Sequence, residues 1–166
     1  MRELLIMRHA KSSWDDPSLA DFDRPLNERG KQDAPRMGEY LAAMGVRPDL
    51  IVASPAKRAR KTARIVAEKL GYDKEAIRWV EGIYEASVQS LLYLVCSLPD
   101  EAEKVMLVGH NPGLTYLANV LGDLTIDNIP TAGVVGLVFD AGSWDEACRS
   151  KGHVLLFEYP KKLKKG

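Results

Sequence analysis

The chain has 166 residues, 46% hydrophobic and 28% charged, with 23 basic and 23 acidic side chains and a formal net charge of zero. That length suits a single domain with a real core, and the balanced charge excludes a general nucleic-acid binder, which needs a basic excess to release counterions. Cys96 and Cys148 lie far apart with no metal-ligand spacing, and the N-terminal apolar run is too short for a signal peptide or a membrane span, so the expectation is a cytoplasmic protein with free thiols and no metal.

The elements alternate along the chain. Leu4–Met7 is an apolar strand that stops abruptly at Arg8-His9. Asn27–Gly45 reads as a helix, with Ala34, Met37, Leu41 and Met44 on one stripe; Pro35 should kink it or delay its start to near Asp33. Leu50–Ala53 is a short strand. Ser54-Pro55 then reads as an N-cap with proline at the first helical position, and Ala59, Ala63, Val66, Ala67 and Leu70 form the buried face. Ile77–Val80 suggests another strand and Ser87–Ser97 a helix. Lys104–Gly109 is a strongly apolar strand. Asn111-Pro112 repeats the cap signal before a helix that ends at Gly122. Two late strands, Gly133–Asp140 and His153–Tyr159, read as antiparallel neighbours. Residues 1–160 form one domain, and the lysine-rich 161–166 reads as a solvated basic tail.

This alternation predicts an α/β fold: a three-layer α/β/α sandwich around a mostly parallel sheet. Ligands of such sheets bind beyond the carboxyl ends of the strands. Those ends carry Arg8-His9, then Ser54 with Arg58 and Arg60 just beyond, then His110-Asn111. Arginine forks, imidazoles and helix N-termini are the parts of a phosphate site. A neutral imidazole is also a competent nucleophile toward phosphorus, if its other nitrogen is held as a donor. A lone histidine or arginine at a strand end is usually structural; the joint placement is what points to chemistry. Asp15-Asp16, beside Pro17, reads as a turn and not as a metal site.

Three motifs in order resemble the histidine phosphatase superfamily, the group of phosphoglycerate mutases and acid phosphatases. They are Arg8-His9, then Ser54-Pro55-Ala56-Lys57-Arg58, then Val108-Gly109-His110-Asn111-Pro112-Gly113. The short chain and Asp23-Arg24-Pro25-Leu26-Asn27-Glu28-Arg29-Gly30 look most like the SixA-type phosphohistidine phosphatases. The resemblance implies a phosphoglycerate mutase-like fold and a metal-independent phosphatase without cofactor. His9 would be the nucleophile, Arg8 and Arg58 the phosphoryl clamp, and His110 the second pocket histidine. Arg24 and Asn111 would bind substrate. Arg60 remains a helix-surface residue and His153 structural or exposed. Ala10 stands where the superfamily has glycine, which raises the question of backbone φ there.

Ester substrates need an acid for the leaving group, and phosphoglycerate mutase-like members carry one in the region of Glu81 and Glu85. Glu85 is the better candidate, with helix capping as its alternative role. Apart from the segment between Met7 and the first helix, connections are short, which suits an open site. The expected substrate is therefore phosphohistidine on a partner protein of the histidine-containing phosphotransfer or phosphocarrier type. The alternatives are a small phosphate ester, or a non-catalytic phospho-ligand-binding module.

Overall fold

The computed structural model describes residues 1–164. Six strands form one sheet: β1 (Arg2–Arg8), β2 (Leu50–Ala53), β3 (Arg78–Trp79), β4 (Lys104–Gly109), β5 (Val134–Phe139) and β6 (His153–Glu158), in the order β3-β2-β4-β1-β5-β6. β1, β2, β3 and β4 run parallel, whereas β5 is antiparallel to both β1 and β6. The expected α/β sandwich and the antiparallel late pair are both present.

The helices are α1 (Glu28–Ala43), α2 (Lys57–Lys69), α3 (Val88–Cys96), α4 (Gly113–Gly122), and the short α5 (Trp144–Ala147) and α6 (Pro160–Lys164). β1 shows why the sheet needs two covers. Leu4 and Ile6 join the core built with α3 and α4, through Leu91, Leu114 and Leu117. Leu5 and Met7 join the opposite core built with α1 and α2, through Met37, Ala63 and Val66. Successive side chains point to opposite faces, so a strand covered twice must be apolar without interruption.

Several local expectations change. α1 starts at Glu28 and runs through Pro35; Asn27 caps it by accepting from Gly30 N at 2.8 Å. The proline removes one helical donor, and packing against α2 holds the helix regardless. Ser54 does not cap α2, which begins three residues later after Ala56; its hydroxyl accepts from Ala56 N at 3.2 Å in the turn before the helix and also meets a histidine. Asn111 does serve α4, accepting from Thr115 N at 3.2 Å and Thr115 Oγ1 at 2.8 Å.

The expectation of free thiols is wrong: Cys96, at the end of α3, and Cys148, just after α5, form a disulfide. Folding closes a sequence gap that spacing rules could not bridge, because α3 and α5 pack on the same face of the sheet. Within the basic tail, Pro160–Lys164 form a helical turn whose Leu163 packs partly against the α1–α2 core; residues 165–166 of that tail lie outside the described region.

Candidate active site

Because β1, β2 and β4 are parallel, their carboxyl ends share one edge. Arg8 pairs in register with Gly109, and Ala53 with Val108. His9 N donates to Gly109 O at 3.0 Å and Ser54 N to Val108 O at 3.0 Å. The first residues beyond the three strands, His9, Ser54 and His110, are thereby forced together.

His9 is 7% exposed. Its Nδ1 lies 2.7 Å from Ala10 O. A carbonyl only accepts, so Nδ1 carries the proton and Nε2 keeps its lone pair. Burial pushes the His9 pKa down to about 3; the Ala10 carbonyl opposes this, and His110, Arg58 and Arg8 reinforce it. The His9 and His110 ring centroids are 5.2 Å apart. His110 Nε2 lies 2.8 Å from Ser54 Oγ, and its buried Nδ1 has no partner among the described residues. Burial, then the charge of Arg58, pushes His110 down to about 4. Both rings are neutral near neutral pH.

Three guanidinium groups surround the imidazoles. Arg8 donates from Nη1 to Ile129 O at 3.0 Å, and burial followed by repulsion from Arg58 lowers its pKa. Arg58 donates to Asp21 O at 2.7 Å and Asp21 Oδ2 at 3.0 Å. Arg24 donates to Asp21 Oδ1 at 3.0 Å, Ser12 Oγ at 2.8 Å and Ser13 O at 3.1 Å. Asp21, in a 3-10 turn at Asp21–Asp23, thus aligns two arginines at once. It also accepts from Tyr84 OH at 2.6 Å. That bond, with the arginines, holds Asp21 down at about 2; the same bond, with burial, raises Tyr84 to about 12, against the charge of Arg58. The Tyr84 ring packs edge-on to His110, centroids 5.4 Å apart.

The result is a cleft of about 240 Å³ that gathers Arg8, His9, Arg24, Arg58, His110 and Asn111, with Lys11, Ser12, Trp14 and Thr131 completing its walls. No carboxylate is among these residues. Four cations and two neutral imidazoles make a site for a dianion.

A model of the histidine phosphatase superfamily (branch 1) matches residues 4–91. The chain belongs to this superfamily. It is a phosphatase similar in form to SixA. SixA from Agrobacterium tumefaciens, a candidate phosphohistidine phosphatase, is 32% identical and superposes with a TM-score of 0.81 over 96% of this chain and 98% of that one. A second SixA structure, a protein histidine phosphatase complexed with tungstate, is 21% identical and shares the fold, with a TM-score of 0.83 over 97% and 99% of the two chains. An uncharacterised chloroplastic protein of Arabidopsis thaliana is 32% identical over 91% of this chain and 72% of its own length.

Several features of this histidine phosphatase were not visible in sequence. Ala10 is absent from the residues with positive φ, so its methyl meets no backbone strain. Its N–H donates to Thr62 Oγ1 at 3.0 Å and its carbonyl orients His9. Glu85 has φ 56°, is exposed, and lies outside the cleft walls; the residue before it, Tyr84, reaches the site instead. Arg60 faces a separate groove behind α2, and His153 is exposed at the start of β6.

Ser54 was hidden behind its resemblance to a cap. Asp21 and Tyr84 carried no motif, because the chain segments that bring them in are irregular. Trp14 did leave a signal, an indole flanked by the polar Lys11-Ser12-Ser13 and Asp15-Asp16. It is 74% exposed, with Arg24 Cζ 3.4 Å from its ring centroid.

Proposed function

We propose that this protein is a metal-independent phosphohistidine phosphatase acting on a partner protein, through a phosphorylated His9. One observation carries the reading. The Ala10 carbonyl accepts a hydrogen bond from Nδ1–H of a buried, neutral His9, leaving the Nε2 lone pair free in a cation-lined cleft.

His9 Nε2 attacks phosphorus while the substrate P–N bond breaks, and the departing imidazole takes up a proton from solvent water in the open cleft. Arg8 and Arg58 hold the non-bridging oxygens, whose charge spreads during transfer. His110 donates a hydrogen bond to one of them. Arg24 and Asn111 line the approach. Water then cleaves phospho-His9 and releases phosphate. The cationic walls supply charge neutralisation from side chains, which is the support for chemistry without a metal.

Phosphohistidine is favoured by the absence of a carboxyl group from the cleft walls. An imidazole leaves more readily than an alkoxide, so it places a smaller demand on a general acid. The similarity to SixA over nearly the whole chain supports the same class.

The test is phosphate release in excess EDTA, comparing a chemically phosphorylated histidine-containing phosphotransfer domain with a panel of small phosphate esters, for wild type and His9→Ala. Fast, EDTA-resistant, His9-dependent turnover of the phosphoprotein is the expected result. Preference for one ester would replace the proposal with a metabolite phosphatase. No His9-dependent release from any substrate would leave a phospho-ligand-binding module.

A further inference from the structure

A second concavity, about 360 Å³, lies behind the active-site wall. It is lined by five cations, Lys31, Lys57, Arg60, Lys61 and Arg64, with Pro25 and Leu26 at its floor, and by no acid. In a chain of zero formal net charge this concentration stands out. Lys31 pairs at 3.5 Å with the exposed Glu28; the four cations on α2 make no ion pair among the described residues.

Their placement works against the helix. α2 has no acid in its first turn and no side-chain cap. Lys57, Arg60 and Lys61 crowd the end where the helix dipole is already positive. Lys57 and Lys61, and Arg60 and Arg64, stand four apart, where like charges repel. An arrangement unfavourable to the isolated fold becomes favourable when an anion is bound.

The groove and the catalytic cleft are lined by neighbours along the chain. Arg58 lines the cleft and its neighbour Lys57 the groove; Arg24 lines the cleft and Pro25 the groove. Adjacent α-carbons are about 3.8 Å apart, so the two linings adjoin, and an extended polypeptide, unlike a compact ion, has the length to span them. From Lys57 to Arg64 the helix advances about 10 Å. Lys57 and Lys61 are exposed and long and stand along that length, with Lys31 facing them from α1. Spaced cations of this kind match carboxylates strung along a polypeptide better than one compact phosphate, which is bound by converging, buried donors such as those around His9.

We propose that this groove docks an acidic segment of the protein that carries the phosphohistidine, beside the phosphorylated side chain. The proposal rests on the protein-substrate reading above and deepens it. Docking lowers KM for the phosphoprotein and does nothing for a small substrate.

The experiment compares wild type with the double variant Lys61→Glu/Arg64→Glu, both exposed positions outside the catalytic cleft. Two readouts are taken. The first is kcat/KM on a phosphorylated histidine-containing phosphotransfer domain with acidic residues beside its histidine, and on free phosphohistidine. The second is fluorescence anisotropy of a labelled Glu/Asp octapeptide, with tripolyphosphate as a competitor and as a direct ligand. Docking predicts at least a tenfold fall in kcat/KM on the phosphoprotein, mostly in KM and shrinking with added salt. Free phosphohistidine should stay within twofold, which also shows that the variant is folded. The octapeptide should bind wild type and lose at least tenfold in the variant. Equal phosphoprotein turnover by the two proteins would overturn the proposal, as would tripolyphosphate binding to a groove that ignores the octapeptide. If wild type releases nothing from the phosphoprotein, the substrate reading has failed. The octapeptide then decides the groove by itself: charge-reversal-sensitive binding keeps it as an acidic-peptide site, and no binding removes it.

Discussion

Lowering the pH from about 7.5 to about 5 should destabilise this protein by roughly 4 kcal/mol through His9 and His110. In the unfolded chain both imidazoles titrate near 6.5; folded, they titrate at about 3 and about 4. Their folded values are depressed, so the unfolded state binds more protons throughout the window between. Stability is therefore full above the unfolded pKa and is lost as pH falls toward the folded values. At pH 5 each imidazole is almost wholly protonated when unfolded and almost wholly neutral when folded, which integrates to roughly 2 kcal/mol apiece. Both rings are less than a tenth exposed, so solvent screening subtracts little. Asp21 does not contribute in this window. Its depressed folded value of about 2 and unfolded value near 3.8 confine its loss to more acidic pH.

The assay is urea unfolding at the two pH values, followed by tryptophan fluorescence, to which the fully buried Trp144 contributes. His110→Gln retains an amide in reach of Ser54 and does not titrate; it should remove about half of the pH-dependent loss. His9→Gln/His110→Gln should remove most of it. An equal loss in wild type and in the double variant would refute the burial argument and, with it, the claim that His9 is neutral for a structural reason. The same shift predicts that kcat/KM shows no acid limb near pH 6.5, where an ordinary histidine would lose its nucleophilic form.

Three further outcomes are expected. Asp21→Ala frees two guanidinium groups at once and should raise KM for phosphorylated substrate about tenfold, with a smaller change in kcat, in steady-state assays. Glu85→Gln should change phosphohistidine turnover less than about twofold, because Glu85 lies outside the cleft walls; a larger fall confined to esters with poor leaving groups would assign it as an acid. Gly30→Ala should cost roughly 1–3 kcal/mol in urea unfolding, since a Cβ there collides with the Lys11 carbonyl, backbone that cannot swing aside. Its activity should fall as well, because Lys11 stands in the cleft wall.

Much of the fold was legible because its signals are local. A continuous apolar strand must be covered on both faces, and Leu4–Met7 and Lys104–Gly109 say so without any knowledge of their neighbours. The pairing of His9, Arg8, Arg58 and His110 was legible for a related reason. Parallel strands put their carboxyl ends on one edge, so the residues at and just beyond those ends already name the centre of the cleft. Ser54-Pro55 misled, since the same serine hydroxyl that can cap a helix can also orient an imidazole, and only the distance to His110 distinguishes the two.

What tertiary structure alone decided was everything carried by irregular backbone or by sequence-distant packing. The disulfide of Cys96 and Cys148 exists because two helices share one face of the sheet, and no spacing rule encodes that. Asp21 binds Arg24, Arg58 and Tyr84 from a turn with no period to read. The tautomer of His9 depends on where one carbonyl points. Residue types and their order along the chain determined which groups could meet at the sheet edge. Folding determined their protonation, their partners and their aim, because those depend on distances of a few ångströms that periodicity does not contain.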